Sequence, residues 1–409
     1  MLRYETAGES HGECLIATLA GLPSGIPISL SYLDRQLWRR QQGYGRGGRM
    51  KIETDHVHVV SGIRHSITIG SPIALVIENR DWKNWSNILP VESPEAPVIA
   101  SGGETDPAAG NGSAAAASGN KPLSRPRPGH ADLAGAIKYN FPESRYILER
   151  ASARETTARV AVGALAKSFL AEFGIGVLSH VIGVGSVRLK RQAKWEELVT
   201  LSEREDVLLG CVDPDTEAEM KAVVDQAYRT GDTVGGIFEV VAHGLPPGLG
   251  SHITWDSRLD GRLAQAVVSI QAVKGVEIGL AEEGATSFGS AVQDTIHYNK
   301  ESRHFHRGSN RAGGLEGGIT NGEEVRVRGF LKPISTLRKP LESVDLVTRE
   351  PALAAYERSD VAVVPAAGVV GEAMVAFVLA QAFLEKFGGD SLLETKRNYE
   401  GYLAQVKSF

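Results

Sequence analysis

The sequence predicts a mixed α+β fold, and three observations carry that reading. Short β-rich runs come in clusters, helical segments fall between them without strict βαβ alternation, and 42% of the 409 residues are apolar against 23% charged, enough for a large core. No stretch resembles an interdomain linker and no repeat is evident, so a single domain spanning 1–409 is expected. The strand-like runs are Cys14–Leu19, Val57–Ile63, Ile73–Ile77, Ile237–Ala242 and Val325–Leu331. Helical periodicity covers Asp132–Tyr139, Ala153–Phe173, Thr216–Arg229, Asp260–Ile270 and Glu372–Phe387.

The helix opening near Ala153 carries the strongest local signals. Ser152 with Glu155 three residues later reads as a capping box, and Leu165, Phe169 and Phe173 recur every fourth position. Val361–Leu384 is 24 residues long with only Glu372 and Gln381 strongly polar, long enough for a membrane span. Pro365, Gly368 and Gly371 instead divide it into a buried strand, Val361–Val364, a turn, and a buried helix, Glu372–Phe387, stopped at Gly388-Gly389. The low-complexity stretch is Ser101–Ser124, where 15 of 24 residues are Gly, Ala or Ser. It has too little apolar surface to offset its ordering entropy, so a mobile surface insertion is expected.

Charge and cysteine content narrow the function classes. With 44 basic and 49 acidic residues the net charge is −5, which argues against a general nucleic-acid or membrane-surface binder. Two isolated cysteines, Cys14 and Cys211, exclude a disulfide framework and a cysteine zinc site. MLRYETAGES holds no apolar signal core, and with the free thiols this leads to an expected cytoplasmic location.

Several motifs point toward binding of a small anion. Gly8-Glu9-Ser10-His11-Gly12 has the G-x-S-x-G form. A hydrolase elbow needs a strand before the serine and a helix after it, yet the following CLIATL reads as a strand, so the hydrolase reading is rejected. What remains is a glycine-flanked loop presenting Ser10 and His11. The block Arg39 to Lys51 holds five basic residues in thirteen positions and no acid. It reads as a glycine-shaped loop converging guanidinium groups on a small polyanion, with an arginine-glycine RNA segment and a solvated charge run as rivals. Arg125-Pro126-Arg127-Pro128-Gly129-His130-Ala131-Asp132 precedes a helix that Asp132 is placed to cap. Arg150 and Arg154 flank a helix N-terminus where the dipole disfavours cations, and a bound anion would reconcile the two, with a pair of solvated arginines as the rival reading. The pairs His56/His58 and His304/His306 lack a third ligand at metal spacing, so no metal is expected. The Gly-rich run Ser309–Gly318 and the Arg358-Ser359-Asp360 cluster complete the set, with no P-loop and no Rossmann fingerprint.

Together these segments resemble the chorismate synthase family. The resemblance runs through GESHG, WRRQQGYGRGGRMKIE, NRDWKNW, RPRPGHADLAGAIKY, ERASARETTARVA, SIQAVKGVEIG, SNRAGGLEGGITNGE, LKPIST and ERSDVAVVPAAGVVGEAM, nine blocks in the family's order. Ser101–Ser124 is the main departure, longer and more polar than the family pattern. The resemblance implies a β-α-β sandwich, with mixed or antiparallel sheets and helices between them. It implies 1,4-anti elimination of phosphate from 5-enolpyruvylshikimate 3-phosphate to give chorismate, with reduced FMN required although there is no net redox change. It also implies a homotetramer. Family members either receive reduced flavin from outside or also reduce it with NADPH. No reductase domain is evident here, so an external reductant is expected, with NADPH its indirect source.

The same resemblance assigns roles. His11 would protonate the leaving phosphate, His130 would stand near the flavin ring, and Asp360 with Ser10 would relay a proton. Arg40, Arg46, Arg49, Arg127, Arg154 and Arg358 would bind the substrate's two carboxylates and phosphate. Arg150, Ala151, Ser152, Gln271, Ala272, Gly317, Lys332, Pro333, Ile334, Ser335, Thr336 and Arg358 match the family's FMN-binding positions.

Overall fold

A computed structural model describes residues 1–47, 53–92, 123–301, 303–357 and 360–409. Arg49, Arg358 and residues 101–122 of the expected insertion lie outside that set. Two antiparallel sheets frame the molecule. The first takes β1 (Arg3–Ala7), β2 (Cys14–Ala20), β3 (His58–Ser61) and β4 (Ile73–Glu78) in the order β1-β2-β4-β3. The second takes β5 (Gly176–Val184), β6 (Val187–Arg188), β7 (Gly236–His243), β8 (Val273–Ile278) and β9 (Val325–Leu331) in the order β8-β9-β7-β5-β6. β2 shows how sequence sets a face: Leu15, Ala17 and Leu19 alternate inward while Ile16 and Thr18 face out.

The helices are α1 (Leu30–Gln41), α2 (Asp132–Tyr139), α3 (Arg145–Ala151), α4 (Thr156–Ala171), α5 (Trp195–Glu203), α6 (Pro214–Thr230), α7 (Leu259–Val268), α8 (Val364–Phe387) and α9 (Leu392–Ser408). α4 packs on β2 and β4 of the first sheet, α8 packs on β5 and β7 of the second, and α4 and α8 pack on each other. The two helices therefore form the filling between the sheets, as the expected sandwich requires. One continuous apolar cluster runs through it from Leu2 to Leu392. The helices approach closely at Gly163, where a Cβ would stand 2.2 Å from the Cβ of Ala373.

Three local expectations need correction. Val361–Val364 is not a strand, and the helix begins at Val364 rather than Glu372. Pro365 sits in its first turn, where no N–H is needed. Gly368 and Gly371 are helical, small because a Cβ would meet Ser179 Oγ at 2.9 Å at the first and the Phe238 ring at 2.5 Å at the second. An 18-residue apolar stretch of this helix is 89% buried inside the protein. Val57–Ile63 is broken at Gly62 (φ +83°), so β3 ends at Ser61 and Ile63 opens a separate short hairpin. The Ser152/Glu155 pair is not a reciprocal capping box. Ser152 accepts from the Arg154 N–H, while the Glu155 carboxylate turns to Thr6, Arg159 and Gln271.

Candidate active site

The loop Gly8–Glu13 crosses from β1 to β2, so a strand follows Ser10 and no hydrolase elbow forms. Gly8 is required there: its φ is +96°, and a Cβ would meet the Cys14 carbonyl oxygen at 2.3 Å. The C-terminal end of α3 holds this loop. The Glu149 carbonyl accepts from Ser10 N–H at 3.0 Å, and the Glu149 carboxylate accepts from His11 N–H at 2.7 Å and pairs with His11 Nδ1 at 2.9 Å. Arg150 donates to the carbonyls of Gly8 and Thr6. The His11 ring lies against Trp85, centroids 4.1 Å apart.

His130 has an analogous partner. Asp132, fully buried, bonds His130 Nδ1 and accepts from Arg127 Nε at 2.8 Å and Nη2 at 3.0 Å. This corrects the capping expectation: Asp132 gives no side-chain cap to α2, because its oxygens are committed to Arg127 and His130. Burial alone would raise the Asp132 carboxyl, but the bonds from His130 and Arg127 outweigh it and hold it far below the ordinary carboxylate range.

The arginines are buried and held by carboxylates. Arg40 pairs with Asp55 at 3.0 Å and Arg154 with the same Asp55 at 2.5 Å, while Arg154 Nε bonds Asn79. Arg46 pairs with Asp360 at 3.0 Å, and Asp360 also accepts the Gly47 N–H. Burial, opposed by Asp55 and reinforced by Arg154 and Arg46, pushes Arg40 down to about 10, so it stays cationic at neutral pH. Asp55 is buried, which would raise it, yet Arg40 and Arg154 hold it low. Arg154 is thus inside the structure rather than waiting at a helix end. The basic block does not begin as a loop: Arg39 and Arg40 lie in the last turn of α1, and Arg39 forms a two-pronged pair with Glu372 in the core.

The positions that the resemblance matches to FMN converge in part. Ala272 adopts φ +69°, unusual for a residue with a side chain, and its carbonyl accepts the Lys332 N–H at 3.0 Å. Lys332 Nζ reaches the Gly129 carbonyl and Ser335 Oγ, and Thr336 Oγ1 accepts from Arg127 at 2.9 Å. Pro333 is exposed, and the Ile334 carbonyl accepts from Thr233. One segment after β9 therefore joins Gln271-Ala272 to Arg127 and His130. Arg150, Ala151 and Ser152 close α3 beside the Ser10–His11 loop. Gly317 stands apart from these contacts, in an exposed turn beside His252.

Sequence reasoning missed Glu149, Trp85 and Asp55. Glu149 is 138 residues from His11, and no spacing links the two. Both Glu149 and Trp85 nonetheless stand inside blocks that carried the family resemblance.

Among the described residues, buried polar atoms without a hydrogen-bond partner within the protein include Arg40 Nε, Arg145 Nη1, His180 Nδ1 and Gln271 Oε1. Buried polar groups normally have partners, so the unused donor of Arg40 suits an anion and the Gln271 acceptor beside Ala272 suits a flavin amide edge, whereas Arg145 Nη1 faces the Glu149 carboxylate at 3.7 Å and His180 pairs with Glu239 in the second sheet. The sequence profile of the family described as chorismate synthase matches residues 2–384. The chain belongs to the chorismate synthase family. A chorismate synthase of Solibacter usitatus is 72% identical over 409 residues, covering all of both chains. One from Aquifex aeolicus is 50% identical over 415 residues, covering 100% of this chain and 99% of that protein. A solved structure described as a crystal structure of chorismate synthase superposes with a TM-score of 0.76 at 42% identity, covering 100% of this chain and 99% of that one.

Proposed function

We propose that the chain carries out the family's reaction, 1,4-anti elimination of phosphate from 5-enolpyruvylshikimate 3-phosphate to give chorismate, at the arginine and histidine cluster between β1, α3 and α2. This makes it a carbon–oxygen lyase of the shikimate pathway. The observation that supports the siting is that His11 and His130 are each backed by a buried carboxylate, Glu149 and Asp132, while Arg40 and Arg154 are buried around Asp55.

The substrate carries negative charge at two carboxylates and a phosphate monoester, and Arg40, Arg46 and Arg154 supply cations in a site shielded from water. Arg127, fixed by Asp132, orients His130. His11 donates a proton to the departing phosphate, and Ser10 with Asp360 is assigned the proton removed from the ring carbon. Gln271-Ala272, Lys332–Thr336 and Arg150–Ser152 would hold FMN. When bound in its reduced form, that cofactor supplies reversible electron donation to the substrate without net redox change. We propose also that the protein works as a cytoplasmic homotetramer served by an external flavin reductant.

An RNA-binding reading of the basic block finds no support, because Arg39, Arg40 and Arg46 are each tied to a carboxylate. The test is anaerobic turnover with chemically reduced FMN, following chorismate absorbance and phosphate together. Equal appearance of both, absent with oxidised FMN, is expected. Binding of FMN without turnover would overturn the reading. Turnover driven by NADPH with the purified protein alone would overturn the external reductant.

A further inference from the structure

We infer that Glu149 is the positioning residue for His11, a role that rests on the one proposed for His11 above. It fixes the imidazole with Nδ1–H toward the carboxylate, so that Nε2 is the nitrogen handling the phosphate's proton.

The geometry leaves the ring little choice. An ionised carboxylate only accepts, so at 2.9 and 3.0 Å from both Glu149 oxygens His11 Nδ1 must be the donor. The same carboxylate takes the His11 main-chain N–H at 2.7 Å, so backbone and ring of one residue are tied to one group. Glu149 reinforces this through its own carbonyl, which holds the Ser10 N–H. Trp85 covers a face of the ring and blocks rotation out of the plane set by Glu149. The Glu149 side chain is 1% exposed, and its charge is faced by Arg145 at 3.7 Å from one helical turn earlier. Arg145 itself reaches Glu357 at 3.2 Å and lies over Trp85 at 5.2 Å. α3 thus presents a preorganised carboxylate to a loop that could not otherwise fix a histidine between two glycines.

The proton account closes without Glu149 changing state. As the ring C–O bond breaks, its electron pair stays on the phosphate oxygen, which takes the proton from Nε2. The imidazolium becomes neutral imidazole and keeps Nδ1–H on Glu149. Regeneration needs a proton at Nε2 only, so one tautomer serves every turnover.

The test uses the enzyme with FMN bound and 15N-labelled histidine, His11 being assigned by difference against His11→Asn. In the wild type, neutral His11 should carry its proton on Nδ1. Glu149→Gln presents an amide N–H to Nδ1 and should move the proton to Nε2. With reduced FMN its kcat should fall on the order of 10²-fold with KM little changed, and Glu149→Asp should recover part of that loss. A wild-type His11 protonated at Nε2 overturns the assignment, even if Glu149→Gln fails to fold. So does a Glu149→Gln enzyme turning over at the wild-type rate while His11→Ala does not. Full turnover by His11→Ala would instead overturn the role of His11 itself.

Discussion

Two buried charge clusters near opposite ends of α4 differ in how completely the protein satisfies them. In the core, Glu372 of α8 accepts from Arg39 twice, from Lys167, and from the main chain and hydroxyl of Ser179. Every oxygen is used, by cations that come from α1 and α4. At the loop side, Arg40 and Arg154 share the carboxylate of Asp55, Arg154 also faces the buried Glu53 at 3.8 Å, and Arg40 Nε has no partner within the protein. Neighbouring residues of one basic block, Arg39 and Arg40, therefore enter different environments. The closed network ties three helices and a strand together. On the proposed function, the incompletely satisfied one is where a substrate anion would lower the energy of groups already desolvated.

If that contrast is right, substitutions in the two clusters should separate stability from turnover. The largest effect belongs to the histidines: His11→Ala and His130→Ala should each lower kcat by about 10²–10⁴-fold while denaturant midpoints stay near wild type. Loss of fold in either would place these residues with the structural cluster instead. Next comes Glu372→Ala, which strands Arg39 and Lys167 without their anion. A stability loss of about 3–5 kcal/mol is expected in urea melts. A near-neutral result would show that the core network does not tie the helices.

A smaller effect is expected at the helix contact between the clusters. Gly163→Ala forces a Cβ against Ala373 and should cost about 1–3 kcal/mol, again with kcat preserved once the protein is folded. The mildest effect is the pH dependence. Burial would raise Glu372, but Arg39 and Lys167 outweigh it and bring its carboxyl from the ordinary 4.5 to about 2. A carboxyl depressed in the folded state stabilises above its unfolded value and loses that contribution as pH falls through the folded one. Stability should therefore decline between pH 4.5 and 2, and Glu372→Ala should flatten that part of the curve.

Much of the framework was legible because periodicity is local. Val325–Leu331 and Asp132–Tyr139 match the structure at both ends, and Cys14–Leu19 is one residue short of β2. The start of α8 was not legible, because proline and glycine signal a turn unless facing side chains account for the glycines, and Ser179 and Phe238, which do so, are far away in sequence. At the site, residue types were readable but their partners were not. His11 stood out between glycines, whereas Glu149 and Trp85 acquire meaning only where α3 and the loop meet. Arg154 was read as a cation left at a helix end; it is instead the buried partner of Asp55, and nothing local to Asp55 announces that.

The most direct measurement is calorimetric titration of 5-enolpyruvylshikimate 3-phosphate into the protein with oxidised FMN, which holds off turnover. Wild type is compared with Arg40→Gln and with Arg191→Gln, whose native side chain pairs with Glu197 at the surface. Removing one charge-assisted donor is worth about 1.5–3 kcal/mol, so Arg40→Gln should bind roughly tenfold or more weakly. Arg191→Gln should bind as wild type. Equal affinity in all three would contradict the claim that the incompletely satisfied cluster is where the substrate's charge is held.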